Sequence, residues 1–160
     1  MRTIRFVQGS DLNVGPDDFT AQLTMPAVNT ELQPLARMTC PAEWAQRNIL
    51  DFPEHRLLFR SWILLFGLLP VDRHAIRFQA ILPGRGFDEN SWSIANRRWC
   101  HQRRISARED GCRVEDIVEY ESRLPLLGPL LKPAYQWVFR QRHRNLRSRY
   151  GGTPVADVGV

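Results

Sequence analysis

Four polar side chains share the inward faces expected for two alternating segments, residues 98–108 and 112–121. They are His101, Arg103, Asp116 and Tyr120. Side chains alternate between the two faces of a strand, and the other face of the second segment is mostly charged, so these four should point inward. If the Asp110-Gly111 turn pairs Glu109 with Cys112, His101 lies opposite Tyr120. Asp116 is then a diagonal neighbour of Arg103, within reach of a salt bridge.

Three interpretations of this polar set stay open. A buried charge must be paired or solvated, so the residues could form a satisfied network or the wall of a wet cavity, which the sequence favours. They could instead orient a ligand. They could also perform acid–base catalysis, in which His101, Arg103 and Tyr120 protonate a carbonyl and abstract a neighbouring proton. Nothing in the sequence demands catalysis, so an enzyme is the less favoured expectation.

Other chemical patterns are weak. Ser61, Asp72 and His74 could be written as a hydrolase triad, but Ser61 lacks the G-x-S-x-G elbow. The four histidines show no metal-ligand spacing, and we expect neither a metal nor a cofactor. His74 faces inward on its own alternating segment, so it joins the candidate ligand contacts.

Aromatic side chains are numerous for a small core. They are Trp62, Phe66, Phe78, Trp92, Trp99, Tyr135, Trp137 and Phe139. Any one of them is more often a core residue than a ligand contact. Together they exceed what a small core of sheet and helix needs, which weakly favours a ligand cavity.

Length and composition indicate one domain. The chain has 160 residues, of which 43% are hydrophobic and 10% aromatic. No apolar run approaches the roughly 20 residues of a membrane span. The N-terminal segment lacks the apolar stretch of a secretory signal, and three widely spaced cysteines predict no disulfide framework. We therefore expect a cytoplasmic protein.

The last helical run, Leu124 to Tyr150, must bury one face. Leu131, Tyr135 and Val138 fall near helical spacing. Its apolar part, Leu130 to Phe139, should pack on a sheet. The arginine-rich part, Arg140 to Arg149, should project toward solvent or an anionic surface. No aromatic residues alternate with these arginines, which argues against specific nucleic-acid recognition.

The remaining pattern predicts an α+β fold. A short strand, Thr3 to Val7, precedes two short helices, one starting at Pro16 and one over Val28 to Ala36, and an irregular connection at 38–56. Strands are then predicted over Leu57–Phe66, His74–Leu82, Phe87–Ile94, 98–108 and 112–121. The long C-terminal helix should cover one face of this antiparallel sheet.

The order of these elements resembles the START-like, or SRPBCC, helix-grip superfamily, which includes polyketide cyclase/dehydrase-like and Bet v 1-like proteins. The resemblance also depends on the hairpin that runs into Asp116–Tyr120 and on the closing segment PLLGPLLKPAYQWVFRQRHRNLRSRYG, which is similar to the C-terminal helix of many bacterial members. It covers residues 1–150 as a single domain, and we expect 151–160 to be a flexible tail. The superfamily has no shared catalytic motif.

The resemblance implies a curved antiparallel sheet wrapped around the long C-terminal helix, with a cavity between them for a small hydrophobic or aromatic ligand. A lipid, a polyketide or a quinone-like molecule would suit such a cavity. The predicted ligand contacts are Trp62, His74, Phe78, Trp99, His101, Arg103, Asp116, Tyr120, Tyr135 and Val138. The alternatives are a cyclase/aromatase/dehydratase-like enzyme and a protein that docks through its basic helix. The sequence does not predict the oligomeric state.

Overall fold

One curved, unclosed antiparallel sheet forms most of the protein in a computed structural model that describes residues 3–156. Its strands are β1 (Ile4–Leu12), β2 (Ala36–Met38), β3 (Phe59–Leu65), β4 (Leu69–Ile76), β5 (Phe78–Leu82), β6 (Gly86–Ser93), β7 (Asn96–Arg108), β8 (Gly111–Ser122) and β9 (Gly152–Pro154). Their order across the sheet is β2-β3-β4-β6-β7-β8-β1-β9, and β5 pairs with β6 beside this path. The expected α+β class is therefore correct.

Four helices accompany the sheet. They are α1 (Pro16–Ala21), α2 (Met25–Leu32), α3 (Ala42–Ala45) and α4 (Leu127–Tyr150), with a 3-10 turn at Ile49–Asp51. The helix predicted over Val28 to Ala36 starts earlier because the Thr24 side chain caps it, accepting a hydrogen bond from the Ala27 amide. It also ends earlier, before Pro34, which cannot continue a helix.

The hairpin of β7 and β8 differs from its expected register by two residues. Its turn consists of Glu109 and Asp110, so Arg108 pairs with Gly111. Gly111 has a φ of 146°, and a Cβ there would lie 2.0 Å from the Leu12 carbonyl oxygen of β1. The close passage of β1 thus requires glycine as the first residue of β8. A shift of two residues preserves the inward face of each strand but changes the cross-strand pairs.

The single strand predicted over His74 to Leu82 is divided into β4 and β5 at Arg77. Both strands pair with β6, β4 through His74 and Ala75, and β5 through residues from Phe78 to Leu82. The Arg77 amide donates to the side-chain hydroxyl of Ser91 on β6 instead of to a backbone carbonyl. Because of this break, the Phe78 side chain points in a different direction from the His74 side chain.

The expected tail at residues 151–160 is partly a strand. β9 pairs with β1, and the Val155 amide donates to the Gly9 carbonyl at 3.1 Å. Gly152 has a φ of 122°, and a Cβ there would lie 1.9 Å from the Asp11 carbonyl oxygen, so glycine allows this pairing. Residues 157–160 of that prediction lie outside the described part of the chain.

Helix α4 packs across the sheet against β1 and β8 and is flanked by α2 and β9. At its C-terminal end, Leu146 joins the larger apolar cluster, which also contains residues of α1, α2 and the aromatic residues of 44–59. Near its middle, Phe139 joins a second cluster with Phe6, Val118 and Tyr120. None of the helices within residues 3–156 is long and apolar enough to cross a membrane.

Candidate functional site

A cavity of about 430 Å³ lies between α4 and the sheet. Helix α4 contributes Leu131, Ala134, Tyr135, Val138, Phe139 and Arg142. The apolar wall from the sheet includes Met38, Ile63, Leu65, Val71 and Trp99. Polar side chains on the sheet are Asp72, His74, Glu89, Asn96 and His101. Protein interiors rarely leave voids much larger than a water molecule, so this volume is not ordinary packing.

The cavity opens to solvent beside β4. Val71 lines the cavity and is 53% exposed, and Ile94, in the adjacent turn between β6 and β7, is 62% exposed. The cavity therefore reaches the surface at an apolar side chain, while the polar groups His101 and Arg142 are buried.

The structure brings half of the predicted ligand contacts to this cavity. They are His74, Trp99, His101, Tyr135 and Val138. Strand alternation was sufficient to find those on the sheet, because each points to the concave face from β4 or β7. Helical spacing was sufficient for the two on α4.

Three predicted contacts lie behind the wall instead of in it. Arg103, Asp116 and Tyr120 are buried within the core and do not line the cavity. The Tyr120 hydroxyl donates to the Gly128 carbonyl at 2.6 Å, which ties β8 to the first turn of α4. The catalytic set proposed from the sequence is therefore not assembled at the cavity, since only His101 reaches it.

Two predicted aromatic contacts are also elsewhere. Trp62 is 40% exposed and lies under the Arg73 guanidinium, 5.3 Å from its ring centroid, because β3 buries Phe59 and Ser61 on the other face. Strand β3 is therefore covered on one face only at these positions. Phe78 packs against other rings, with centroids 5.9 Å from Phe52 and 5.1 Å from Phe87.

A chain of buried carboxylates and histidines starts at the cavity wall. His74 Nε2 lies 2.7 Å from one oxygen of Glu89, which also accepts from the Ser91 hydroxyl at 2.6 Å. His101 connects Glu89 to Asp116, with Nδ1 3.5 Å from Glu89 and Nε2 2.9 Å from Asp116. Both ring nitrogens of His101 thus face carboxylate oxygens.

The chain continues through two arginines to α2 and α4. Arg103 donates to both oxygens of Asp116 and to both oxygens of Glu31, at 2.7 to 3.0 Å. Glu31 also accepts from Arg142 of α4 at 2.7 and 3.2 Å. His143 bridges Asp116 and the Ser10 hydroxyl, at 3.1 and 3.0 Å, and is satisfied as a neutral ring. The network therefore connects strands β6, β7 and β8 of the sheet to helices α2 and α4.

The charged groups of this network are paired. Three buried carboxylates, Glu31, Glu89 and Asp116, face the guanidinium groups of Arg103 and Arg142 and the rings of His74 and His101. Buried charges are costly unless they are paired and hydrogen-bonded, and each member of this set is both. The sequence-based preference for a satisfied internal network is therefore supported by the geometry, with three more members than the sequence identified.

The pKa values of the network follow from this pairing. Burial alone would raise the pKa of Asp116, but Arg103 and His101 hold it well below its usual value. Burial likewise opposes ionisation of Glu31, yet Arg103 and Arg142 lower its pKa. For Glu89, the hydrogen bonds of His101 and His74 outweigh burial and lower the pKa. All three carboxylates are charged at neutral pH.

Sequence reasoning missed several polar residues of the site or network, among them Glu31, Asp72, Glu89, Asn96, Arg142 and His143. Glu31 had a detectable signal, since it lies on the apolar face of α2 beside Val28 and Leu32, where a charge requires a partner. Glu89 belongs to a strand with little periodicity, and Asn96 follows a turn. Neither had a signal in the sequence that separates it from an exposed polar residue.

Arg142 corrects the expected outward projection of Arg140–Arg149. It is buried, lies over the Phe139 ring at 5.0 Å from the centroid, and pairs with Glu31. Arg140 and Arg144 are exposed, whereas Arg147 donates to the Ser10 hydroxyl at 2.7 Å. The basic half of α4 is therefore not one outward surface, and it gives the docking hypothesis no specific support.

Comparisons with known proteins agree with this architecture. A family model described as "Domain of unknown function (DUF8410)" matches residues 10–150. No curated protein matches the chain.

Solved structures show the fold. A START superfamily protein from Mycobacterium smegmatis has a TM-score of 0.59 at 8% identity, over 92% of this chain and 96% of its own. The major latex-like protein 151 of Panax ginseng has a TM-score of 0.59 at 9% identity, over 92% and 97%. The di-domain ARO/CYC StfQ of the steffimycin biosynthetic pathway has a TM-score of 0.59 at 11% identity, over 91% of this chain and 50% of StfQ. These likenesses confirm the helix-grip fold that the resemblance predicted.

Proposed function

The chain belongs to the family described as "Domain of unknown function (DUF8410)", and we propose that it binds a small, uncharged, apolar or aromatic ligand between α4 and the sheet. The cavity volume of about 430 Å³ carries the proposal. Small-molecule sites span roughly 300–1,000 Å³ and combine an apolar lining with a few polar groups, as this cavity does.

The composition of the wall supports an uncharged ligand. Apolar side chains such as Ile63, Leu131 and Val138 form most of the lining. Of the charged side chains that reach it, Glu89 and Arg142 already have partners, and Asp72 accepts hydrogen bonds from three backbone amides. An anionic ligand would therefore lose its hydration without gaining a free cation. A lipid, polyketide or quinone-like molecule without a charge in the cavity would avoid that loss.

The names of two proteins of similar structure support the same proposal. One is a START superfamily protein, and another is an aromatase/cyclase-type protein of a biosynthetic pathway. A lipid-like or polyketide-like ligand is therefore the chemistry that we propose for this cavity. Carriage or sequestration of such a ligand requires no catalytic group.

Displacement of an uncharged fluorophore tests this proposal. N-phenyl-1-naphthylamine should fluoresce when it enters the cavity of the wild-type protein. Ala134 lines the cavity and is itself exposed, so it lies where the cavity meets the surface, and Ala134→Trp should obstruct the cavity there and weaken probe binding at least about tenfold. Arg140→Trp adds the same ring at an exposed position of the same helix and should leave binding unchanged.

Native mass spectrometry complements that assay. The wild type and the Arg140→Trp variant should carry an apolar molecule after gentle purification, and Ala134→Trp should carry less. Equal probe binding by all three proteins would place the probe outside the cavity and contradict the proposal. Absence of probe binding to the wild type would contradict it as well.

Proton transfer on the bound ligand is a second candidate, favoured by the dyad of His74 and Glu89. Glu89 holds His74 Nε2 at 2.7 Å, which leaves Nδ1 as a base at the cavity. This arrangement replaces the set of His101, Arg103 and Tyr120. Wild-type protein in D₂O should then exchange acidic C–H hydrogens of the co-purified ligand, and His74→Phe should not. Equal exchange by both proteins would exclude this role.

A further inference from the structure

Asn96 is a buried residue of the cavity wall with unused hydrogen-bonding capacity. It begins β7, is 2% exposed, and its Nδ2 donates to the Tyr135 hydroxyl at 2.8 Å. Its Oδ1 is buried and has no hydrogen-bond partner among residues 3–156. Buried polar atoms in folded proteins nearly always have a partner, so this oxygen calls for a donor that residues 3–156 do not supply.

Tyr135 faces the same part of the cavity from α4. Its oxygen accepts from Asn96, and within the described chain its O–H has no acceptor. Burial raises the pKa of Tyr135 to about 12, despite the lowering effect of the Asn96 hydrogen bond, so the hydroxyl keeps its proton at neutral pH. The pair therefore offers one free acceptor, on Asn96, and one free donor, on Tyr135.

The orientation of the Asn96 amide does not change this balance. If the amide were rotated by half a turn, its oxygen would accept from Tyr135, and its Nδ2 would become the free donor. The Tyr135 oxygen would then be the free acceptor. In either orientation the pair has one donor and one acceptor to offer, which is complementary to a group that both donates and accepts.

The surroundings define the rest of such a ligand. The Trp99 ring lies 5.1 Å from the Tyr135 ring, centroid to centroid, and Ala95 and Leu131 add apolar contacts. Asp72 also lines the cavity, and its Oδ1 accepts from the amides of Arg73, Ile94 and Ala95, so its negative charge lies on the same side. A carboxylate ligand would be repelled there and would leave Asn96 Oδ1 without a donor.

We propose that Asn96 and Tyr135 together anchor a hydroxyl group, phenolic or alcoholic, of an otherwise apolar ligand. The ligand O–H donates to Asn96 Oδ1, and the ligand oxygen accepts from the Tyr135 hydroxyl. A ketone or quinone oxygen could satisfy only Tyr135, and an ether could satisfy only Tyr135 as well. The inference depends on the proposed function, since it names the chemical class of the molecule that the same cavity binds.

The test compares two naphthalene ligands, of which one has a hydrogen-bond donor on its oxygen and the other does not. Affinities of 2-naphthol and 2-methoxynaphthalene are measured by displacement of N-phenyl-1-naphthylamine. The ether is the more apolar of the two, so apolar burial alone favours it. The wild type should nevertheless bind 2-naphthol at least about tenfold more tightly, because only the naphthol satisfies Asn96 Oδ1.

Variants test whether the preference for 2-naphthol depends on Asn96 and Tyr135. Asn96→Leu should reduce the ratio of the two affinities to about one while binding the fluorophore within about threefold of the wild type. Tyr135→Phe, a smaller change, should also reduce the ratio. Asn90→Leu makes the same substitution on β6 away from the cavity and should keep the wild-type ratio.

The outcomes separate this inference from the proposed function. Equal wild-type affinities for the two ligands, or a ratio that survives both Asn96→Leu and Tyr135→Phe, overturns the hydroxyl anchor. If Ala134→Trp nevertheless abolishes fluorophore binding in that case, the proposal of an apolar ligand cavity still stands. If Ala134→Trp has no effect on fluorophore binding, both proposals fail.

Discussion

The guanidinium of Arg103 donates to both carboxylate oxygens of Asp116, its direct neighbour across the hairpin of β7 and β8, at 2.8 and 2.7 Å. The other edge of the same guanidinium donates to Glu31 of α2. One side chain thus holds the hairpin and a helix together without contact with solvent. We therefore expect Arg103 to stabilise the elements that form the cavity wall and not to bind the ligand.

Replacement of Arg103 by methionine should destabilise the fold severely. Arg103→Met leaves Asp116 and Glu31 as neighbouring buried carboxylates that have lost their shared cation. Breaking a buried ion pair costs about 3–5 kcal/mol of unfolding free energy, which urea denaturation would measure. Arg113→Met is the matched control, because Arg113 pairs with Asp11 at the surface, where solvent screens the interaction, and it should cost far less than Arg103→Met. Similar losses in both variants would contradict the account.

Acid should destabilise the protein through the buried carboxylates. The pKa of Asp116 is lowered in the folded state, so the unfolded chain binds a proton first as the pH falls. Its stabilisation is complete above the unfolded pKa of about 4 and is lost as the pH falls toward the folded value. Unfolding free energy measured from pH 5 to pH 2 should therefore decrease in the wild type.

Asp116→Asn isolates this effect. The variant has no titrating group at position 116, so its unfolding free energy should change less steeply over the same acid range, although it starts from a lower value. A slope as steep as that of the wild type would mean that Asp116 does not contribute to acid unfolding.

Tyr120 should hold the start of α4 on the sheet. Its hydroxyl donates to the Gly128 carbonyl at 2.6 Å, and Pro133 removes a backbone donor from the same part of the helix. Tyr120→Phe should cost about 1 kcal/mol of unfolding free energy. Hydrogen exchange at the amides of Leu131 and Lys132 should become faster. Tyr150→Phe, at the far end of α4, should leave those two amides unaffected.

Gly111 should tolerate no side chain. A Cβ at this position would lie 2.0 Å from the Leu12 carbonyl oxygen, which must move and thereby separate β1 from the hairpin. Gly111→Ala should therefore lower the thermal midpoint strongly. Gly84→Ala is the control, since Gly84 has a φ of 68° and open space around it, so only a backbone strain of about 1–2 kcal/mol is expected. A milder effect at Gly111 than at Gly84 would be inconsistent with the close approach of β1.

Periodicity was sufficient to identify the fold but not its exact pairing. The alternation in β7 and β8 placed His101, Arg103 and Asp116 on the correct face. The register depends on Gly111, whose role is set by β1, about a hundred residues earlier in the chain. A local turn preference for Asp110-Gly111 could not include that contact, so the predicted pairs were displaced by two residues.

The site was predictable where one element alone determined a side chain's direction. Trp99 and Tyr135 were found in this way. Arg142 was missed because it lies in an arginine-rich segment, between Arg140 and Arg144, and only the position of Glu31 on α2 explains why this one points inward. Asn96 was missed because its significance is an unused oxygen, which is a property of the assembled cavity and not of any pattern in the sequence.

The paired charges behind the cavity have a consequence for the empty protein. Glu31 and Asp116 accept hydrogen bonds from the buried arginines, and Glu89 lies within hydrogen-bond distance of His74 and Ser91, so these carboxylates are satisfied without a ligand. The charged layer of the wall should therefore keep the same arrangement whether the cavity is empty or occupied.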